Sequence, residues 1–500
     1  MAVAQIPHFV IVGGGIAGLA AAYRLVELSR EREQPLRFTL LEASNRVGGV
    51  IDTERREDFL LELGPDSFVS EKPWALALCK RIGLDSELIG TRDEHRTTFV
   101  VRAGKLEPLP EGFMLLAPTK VGPLLRSRIF SWPGKLRMAL DLVLPRGDQE
   151  DESLGSFVRR RFGHEVLERV AQPLIGGIYT ADPERLSLAA TMPRFLQMER
   201  EHRSVIFAMW QAARKRPQEA KDASGARWSL FVTLRKGLQQ FVDTLVSRLA
   251  LGEVRRNTVV SSIQRNDGDW IIVCEDGAFL RADGVVLATP AFQTARIVRA
   301  LDPQLSRSLA SISYSSAATI NLAYRREHVP HPLNGFGFVV PHIEHRAIIA
   351  GSFSSVKYVG RAPESSVLLR AFVGGSLQET LFTLDDQAME RAVRQELASL
   401  LGIQAAPLFV RIARYPHSMP QYLVGHLKLV EDIEQQMRRY PGLALAGNAY
   451  RGVGVADCVR SGEAAAEAIL KAIESGGSIG SKISSTNVID STDSMTLETQ

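Results

Sequence analysis

Three glycines in VGGGIAGL, at positions 13, 15 and 18, and a carboxylate at Glu42 are the residues whose types and spacing first point to chemistry. The spacing G-x-G-x-x-G strips side chains from a short stretch of main chain, which an anion can then approach. Gly13 allows a tight turn, Gly15 lets a pyrophosphate reach the backbone, and Gly18 lets a helix pack on a sheet. The N–H groups of Gly14, Ile16 and Ala17 would face the anion, at the positive end of a helix dipole. Glu42 lies about 20 residues beyond the last glycine, where a carboxylate can accept hydrogen bonds from ribose hydroxyls. Positioning these groups requires a buried strand over 9–12, a helix from 16 to about 34 and a second strand over 37–43. The plainer alternative is a glycine-rich helix–strand contact with an ordinary surface glutamate. It does not account for an acid placed at the end of the second strand.

Composition bounds the rest. With 500 residues, 45% hydrophobic and 23% charged, the chain has room for about two or three globular domains. A net charge of +4 is too small to argue for a nucleic-acid partner. Cys79, Cys274 and Cys458 are far apart, which argues against a disulfide framework and for a reducing compartment. The first residues, MAVAQIPH, lack the basic region of a signal peptide, and no apolar run reaches the length of a membrane span. A cytoplasmic protein is therefore expected. Residues 475–500 are rich in Ser, Thr and Gly without periodicity and read as a disordered tail.

Further residues converge on the glycine turn. After Glu42 come Ala43, Arg46, Gly48 and Gly49, which offer a fixed cation and bare backbone beside a pyrophosphate, and then a Gly64-Pro65-Asp66-Ser67 turn. This combination resembles the FAD-binding flavoprotein superfamily of amine oxidases, phytoene desaturases and protoporphyrinogen oxidases, in which R-x-G-G follows the acidic strand end. RADGVVLATPAF, at 281–292, looks like the strand by which such chains re-enter the FAD domain. LALAGNAYRGVGVADC, from 443, looks like the strand and turn that bring Gly452, Val453, Gly454 and Val455 to the flavin ring. Val259 resembles the residue whose backbone touches the adenine. The resemblance implies one non-covalent FAD per chain, because Cys458 follows the turn inside a helix. It also implies an α/β fold with a Rossmann-type FAD domain assembled from discontinuous segments, a mixed-sheet substrate domain and a helical subdomain. FAD-binding stretches are expected at 1–90, 216–290 and 417–474, and substrate-binding stretches at 91–215 and 291–416. Strand-like runs at 60–92 and 291–416 are expected to form the mixed sheet, and 110–215 reads as helices.

A narrower resemblance covers the chain to about residue 472. AQPLIGGIYTADPERLSL, GFGFVVPH, RAFVGG and ARYPHSMPQYLVGH together resemble the porphyrinogen oxidases of haem synthesis. By that resemblance Arg92 pairs with a substrate propionate, for which a guanidinium suits the carboxylate fork. Gly177 lies against the macrocycle, Val339 and Phe372 bracket a pyrrole, and Tyr415 stands near the cofactor where eukaryotic members have Trp. The reaction implied is a six-electron oxidation by hydride transfer to flavin, with O2 as acceptor and hydrogen peroxide released. It needs no acid–base or nucleophilic side chain. GVGVADC resembles the Gram-positive branch that acts on coproporphyrinogen III, while protoporphyrinogen IX remains the other candidate. A flavin amine oxidase, a carotenoid desaturase, and a non-catalytic protein of the GDP-dissociation-inhibitor type are the alternatives. The first lacks its usual Cys or Trp in LALAGNAYRG, the second its long apolar stretches, and the third need not keep the flavin-facing glycines. A homodimer and hand-over of product to the next enzyme of haem synthesis are left open.

Two signals compete with this reading. His328, His331, His342 and His345 form two H-x-x-H pairs, but they flank turns and prolines, so no metal is expected. Residues 124–146 mix arginines with Phe130, Trp132 and leucines. They suit either a membrane-surface contact or a solvated helix packed by its apolar face.

Overall fold

In the computed structural model, which describes residues 6–92, 94–114, 116–215, 230–250, 252–266 and 268–475, the apolar run after the N-terminus becomes the central strand of a five-stranded parallel sheet. His8–Val12 pairs on one side with Arg37–Leu41 and on the other with Gly284–Leu287. Gly252–Arg255 and Leu443–Leu445 close the two edges. The residues 9–12, 38–41 and 284–287 are buried, as strands covered on both faces must be. The sheet draws on widely separated stretches of chain, and the segments between them build everything else.

Two helices cover one face. Ile16–Glu31 follows the glycine turn directly, and Val455–Ser475 ends the described chain. They run parallel, since Ala17 lies against Gly462 and Arg24 pairs with Glu467 at 2.9 Å. A Cβ on Gly462 would lie 2.0 Å from the Ala17 carbonyl oxygen, so only glycine permits this approach. Because both helices start at the same edge of the sheet, both positive dipole ends face the same space.

A seven-stranded mixed sheet forms the second layer, in the spatial order Phe409–Pro420, Tyr314–Arg325, Ser366–Gly374, Ala350–Ser352, Gly337–Val339, Thr98–Arg102 and Lys105–Pro108. One face packs on the helix Asp386–Leu401 through Met389, Val393 and Leu397. The other meets the helices between 121 and 215, whose core is built on Phe157, Phe162, Phe195 and Ile175. Arg161, fully buried, is satisfied there by Asp141 at 2.6 Å and by the carbonyls of Asp141, Pro145 and Arg203. No helix among the described residues is long and apolar enough to cross a membrane.

Some expectations shift by a few residues or change sheet. The first helix stops at Glu31 and the second strand at Leu41. Residues 60–92 do not join the large sheet. Their strands Phe59–Glu62, Phe68–Val69 and Leu88–Gly90 form small sheets with Thr53–Arg56 and Phe231–Leu234 instead. The strand Phe409–Pro420 runs through the boundary expected at 416. Beyond its first residue, the tail read over 475–500 lies outside the described residues.

Candidate active site

The glycine turn is crowded on the sheet side and bare on the other. A Cβ on Gly13, which holds φ +107°, would lie 2.7 Å from the Ala288 carbonyl oxygen, and one on Gly18 would lie 2.0 Å from the Gly13 carbonyl oxygen. Gly14 would meet Glu42 at 2.9 Å, but around Gly15 nothing lies within 4 Å. Main chain on one side and open space on the other make a cradle for an anion, so the turn fits the pyrophosphate of FAD. The Ile16 and Ala17 side chains point into the helix core, leaving only their N–H groups to the cradle.

Glu42 is held ready. Its Oε2 accepts from Gly14 N at 2.7 Å, and its Oε1 accepts from Ser44 N at 2.9 Å and Ser44 Oγ at 2.8 Å. Thr258 N donates to the Glu42 carbonyl at 2.9 Å, which brings the half-exposed Val259 beside the same strand end, next to the exposed Ala43. Gly48 N donates to the Gly14 carbonyl at 2.7 Å, and a Cβ on Gly49 would lie 3.2 Å from Gly15 Cα. Arg46 fastens this loop by donating to Gly49 O at 2.8 Å and Gln239 Oε1 at 3.0 Å, and by pairing with Asp52 at 3.5 Å.

The Gly64, Pro65, Asp66, Ser67 turn ties the two layers together. A Cβ on Gly64 would lie 1.6 Å from the Val50 carbonyl oxygen. Arg370, buried in the large sheet, donates to the carbonyls of Leu63 and Gly64, and Thr319 Oγ1 donates to Leu63 O at 2.7 Å. Asp66 accepts from Lys357 Nζ at 2.9 Å and Ser67 Oγ at 2.6 Å. Burial alone would raise the Asp66 pKa, but Lys357 and Arg370 outweigh it and hold the carboxyl well below the usual carboxylate range. Tyr415 stands close to Arg370, Asp52 and Arg46, and burial pushes its hydroxyl up to about 12.

Across the large sheet, Val100, Val339, Ala350, Phe372 and Thr319 form one row of paired positions and therefore share a face. Val339 and Phe372 lie two strands apart, about 10 Å, with the small Ala350 between them. Phe372 has the Arg370 guanidinium 4.9 Å from its ring centre. Val339, Phe372 and Val453 belong to one apolar cluster, although they come from distant parts of the sequence. Gly177, in the helix Gln172–Tyr179, has nothing within 4 Å of a would-be Cβ. The exposed Arg92 donates its backbone N–H to Lys357 O at 3.1 Å, and its guanidinium has no ion pair among the described residues.

At the C-terminal turn, Gly452 holds φ +140°, and a Cβ there would lie 2.3 Å from Asp457. Gly454 lies 3.3 Å from Asp457 by the same measure, and Val455 opens the helix. Asp457 is buried and accepts from Lys72 Nζ at 2.6 Å. Cys79, Cys274 and Cys458 are buried and free. No group of three or more His, Cys, Asp or Glu among the described residues is arranged to hold a metal ion.

Sequence reasoning had passed over Lys357, Arg370, Lys72 and Asp457. For the first two no local signal exists, because their partners lie about 300 residues away in the chain. An aspartate in the first turn of a helix is a recognisable preference, and it could have drawn attention to Asp457.

Comparison with known proteins bears on this arrangement. The profile of the flavin containing amine oxidoreductases matches residues 16–470. The chain is 36% identical to the coproporphyrinogen III oxidase of Bacillus subtilis over 461 residues, 92% of this chain and 97% of that one. It is 35% identical to the enzyme of the same name from Propionibacterium freudenreichii, over 93% and 91%. The protoporphyrinogen oxidase of Bos taurus is 32% identical over 92% and 98%. Among solved structures, a protein from Exiguobacterium sp. 255-15 assigned as a protoporphyrinogen oxidase matches with a TM-score of 0.81 and 32% identity, over 93% of this chain and 99% of that one. Reduced UDP-galactopyranose mutase, at 16% identity and a TM-score of 0.69, shares the fold alone.

Proposed function

The chain belongs to the flavin-containing amine oxidoreductases, and within that family we propose that it is an FAD-dependent oxidase of haem synthesis that converts coproporphyrinogen III to coproporphyrin III. The porphyrinogen oxidase activity is supported by relatives of that name at 32–36% identity over nearly the whole chain. The choice of coproporphyrinogen III is carried by one observation: the relatives at 36%, 35% and 32% identity from Bacillus, Propionibacterium and Staphylococcus all bear that substrate in their names.

FAD, when bound, supplies a hydride acceptor and returns each electron pair to O2, with hydrogen peroxide as product. The chain's own residues hold and orient. Gly15 and Gly49 leave bare main chain beside the pyrophosphate, Gly13, Gly14, Gly18 and Gly48 shape the turn that keeps it bare, and Glu42 accepts from the ribose hydroxyls. Gly452, Val453, Gly454 and Val455 carry a helix N-terminus towards the ring, where its dipole favours the negative charge of reduced flavin. Val339 and Phe372 bracket a pyrrole, Gly177 leaves room for the macrocycle, and Arg92 takes a propionate at the rim. Because the pyrrole nitrogens supply the electron push, no side chain has to act as acid or base. Alignment of the bridging C–H with the flavin is the main contribution.

Anaerobically prepared coproporphyrinogen III and protoporphyrinogen IX, offered separately, test the proposal through the growth of porphyrin fluorescence. We expect kcat/KM at least about tenfold higher for coproporphyrinogen III, since four propionates offer more charge-assisted contacts than two. A preference for protoporphyrinogen IX would reassign the substrate, and no oxidation of either would remove the activity.

A membrane-surface contact is favoured by a separate observation. Trp132 and Leu136, one turn apart on the helix Trp132–Ala139, and Leu140 and Val143 just beyond its end are exposed at 65%, 69%, 47% and 64%. Such a surface suits shallow insertion between lipid headgroups, with the exposed Arg126 and Arg128 in the same stretch of chain for anionic lipid. Co-sedimentation with phosphatidylglycerol vesicles that is lost in Leu136→Glu would support it, and equal sedimentation of both proteins would refute it.

A further inference from the structure

MPQYLVGH, singled out by its resemblance, has been given no role in the site described above. Its side chains connect the C-terminal glycine turn to the helix that carries Gly177. Tyr422, 1% exposed, donates its hydroxyl proton to Asn448 O at 2.6 Å and accepts from Gly452 N at 2.7 Å, so one oxygen bridges the C-terminal glycine turn. A hydroxyl is suited to this because it is at once donor and acceptor. His426 stacks on the Tyr422 ring at 3.9 Å and 13°, and its Nε2 lies 2.9 Å from Tyr450 O. A carbonyl only accepts, so Nε2 carries the proton. Residues 448, 450 and 452 are thus all held by one stacked pair of rings.

The neighbouring residue reaches the other way. Gln421 Nε2 donates to Tyr179 O at 3.1 Å and to Ser315 Oγ at 3.0 Å. Tyr179 ends the helix that carries Gly177. Ser187 N donates to Tyr422 O at 2.8 Å, and Asp151 links Ser187 Oγ at 2.7 Å to Gly425 N at 3.0 Å. Two adjacent side chains therefore grip the helix on the substrate side and the turn on the flavin side.

We propose that Gln421 and Tyr422 are positioning residues, which keep the macrocycle and the flavin in register across the site. The proposal rests on the porphyrinogen oxidase reading. It adds that the distance between Gly177 and Gly452 is set by this pair, with His426 holding the Tyr422 ring in place. Hydride transfer falls steeply with misalignment, so loosening either grip should lower kcat more than it raises KM.

Tyr422→Phe keeps the ring and the stack and removes only the bridge. The purified variant should retain wild-type flavin stoichiometry, with kcat down about tenfold or more and KM within about threefold. Its flavin visible bands and midpoint potential should shift, because the helix end at the ring moves. Gln421→Met should lower kcat as well and leave the flavin bands where they are. A merely structural role would lower stability and yield while each bound flavin kept its spectrum and rate. Wild-type kcat and flavin bands in Tyr422→Phe would overturn the proposal. Should that variant not fold, His426→Gln, which keeps a donor for Tyr450 O and loses the stack, carries the test with the same readouts. A wild-type protein that binds flavin and oxidises neither porphyrinogen would instead overturn the reading on which the proposal rests.

Discussion

At the glycine turn the fixing hydrogen bonds join residues within about 35 positions of one another: main chain to main chain for Gly48 with Gly14 and Gly13 with Leu41, and the Gly14 N–H to the Glu42 carboxylate. The face that holds Val339 and Phe372 is instead assembled by pairing strands remote in sequence, drawn from 98–102, 314–325, 337–339, 350–352 and 366–374, and its surface is made of side chains. The first end excludes a Cβ almost everywhere, while the second leaves Gly177 open and the Arg92 guanidinium without an ion pair among the described residues. A cofactor that stays bound through turnover can be met by rigid backbone. For a substrate that must enter and depart, as the proposed function requires, an apolar face with an exposed cation nearby is better suited.

Two glycines put this contrast to the sharpest test. In Gly64→Val, atoms would be forced into the Val50 carbonyl, whose oxygen lies 1.6 Å from the nearest added position. The expected loss exceeds about 4 kcal/mol, and little soluble yellow protein should be recovered. Gly177→Ala meets nothing within 4 Å. It should bind flavin normally, with thermal stability equal or up to about 1 kcal/mol higher from helix propensity, while turnover of the porphyrinogen falls. If both variants behaved alike, the distinction between the two ends would be lost.

Glu42→Ala comes next. The ribose would lose a charged acceptor worth about 1.5–3 kcal/mol, and Gly14 N would lose its partner. FAD should be largely stripped during purification and regained when FAD is added in excess. Flavin retention equal to wild type, measured by absorbance after gel filtration, would move the ribose elsewhere.

The same contrast explains how much could be read from the letters. The glycine turn, the acidic strand end and the R-G-G loop are local, because spacing alone brings them together, and the cradle follows from sequence. The parallel sheet was visible in its apolar runs, with Leu41 in place of Ala43 as the end of the second strand because the chain turns there to present Glu42. The large sheet was less legible. Residues 59–62 are fully buried and look like any core strand, but their partner is the short Thr53–Arg56. Nothing local marks Lys357 for Asp66 or Arg370 for Gly64, since such pairs exist only once the two layers have met.

Arg92→Ala probes the open rim. Loss of one charge-assisted contact should lower kcat/KM about 10- to 100-fold, or roughly 1.4–2.7 kcal/mol, divided between kcat and KM, with flavin content unchanged. Lys should recover part of this, keeping the charge and losing the fork. If kinetics with both porphyrinogens stayed within twofold of wild type, Arg92 would be an ordinary surface charge.

The smallest effect belongs to the seam between the two regions. Glu62 is 4% exposed, accepts from Thr53 Oγ1 at 2.7 Å and Leu238 N at 2.9 Å, and lies 3.8 Å from the buried Arg361. Burial outweighs these partners and pushes its pKa from 4.5 up to about 7. The folded protein therefore holds this proton more tightly than the unfolded chain does. Between those two values the native state binds more protons, so stability from this group is fully present below about pH 4.5 and declines as pH rises towards 7. The loss between pH 6 and pH 7 should be about 1 kcal/mol, because a single group changes stability by at most about 1.4 kcal/mol per pH unit. Glu62→Gln keeps an acceptor for Leu238 N and cannot ionise, so its thermal midpoint should be flatter than wild type across the same pH interval. The difference between the two slopes isolates Glu62 from every other titrating group. If the slopes coincide, Arg361 and the Thr53 and Leu238 hydrogen bonds hold the carboxylate ionised throughout, and the seam is as rigidly satisfied as the cradle beside it.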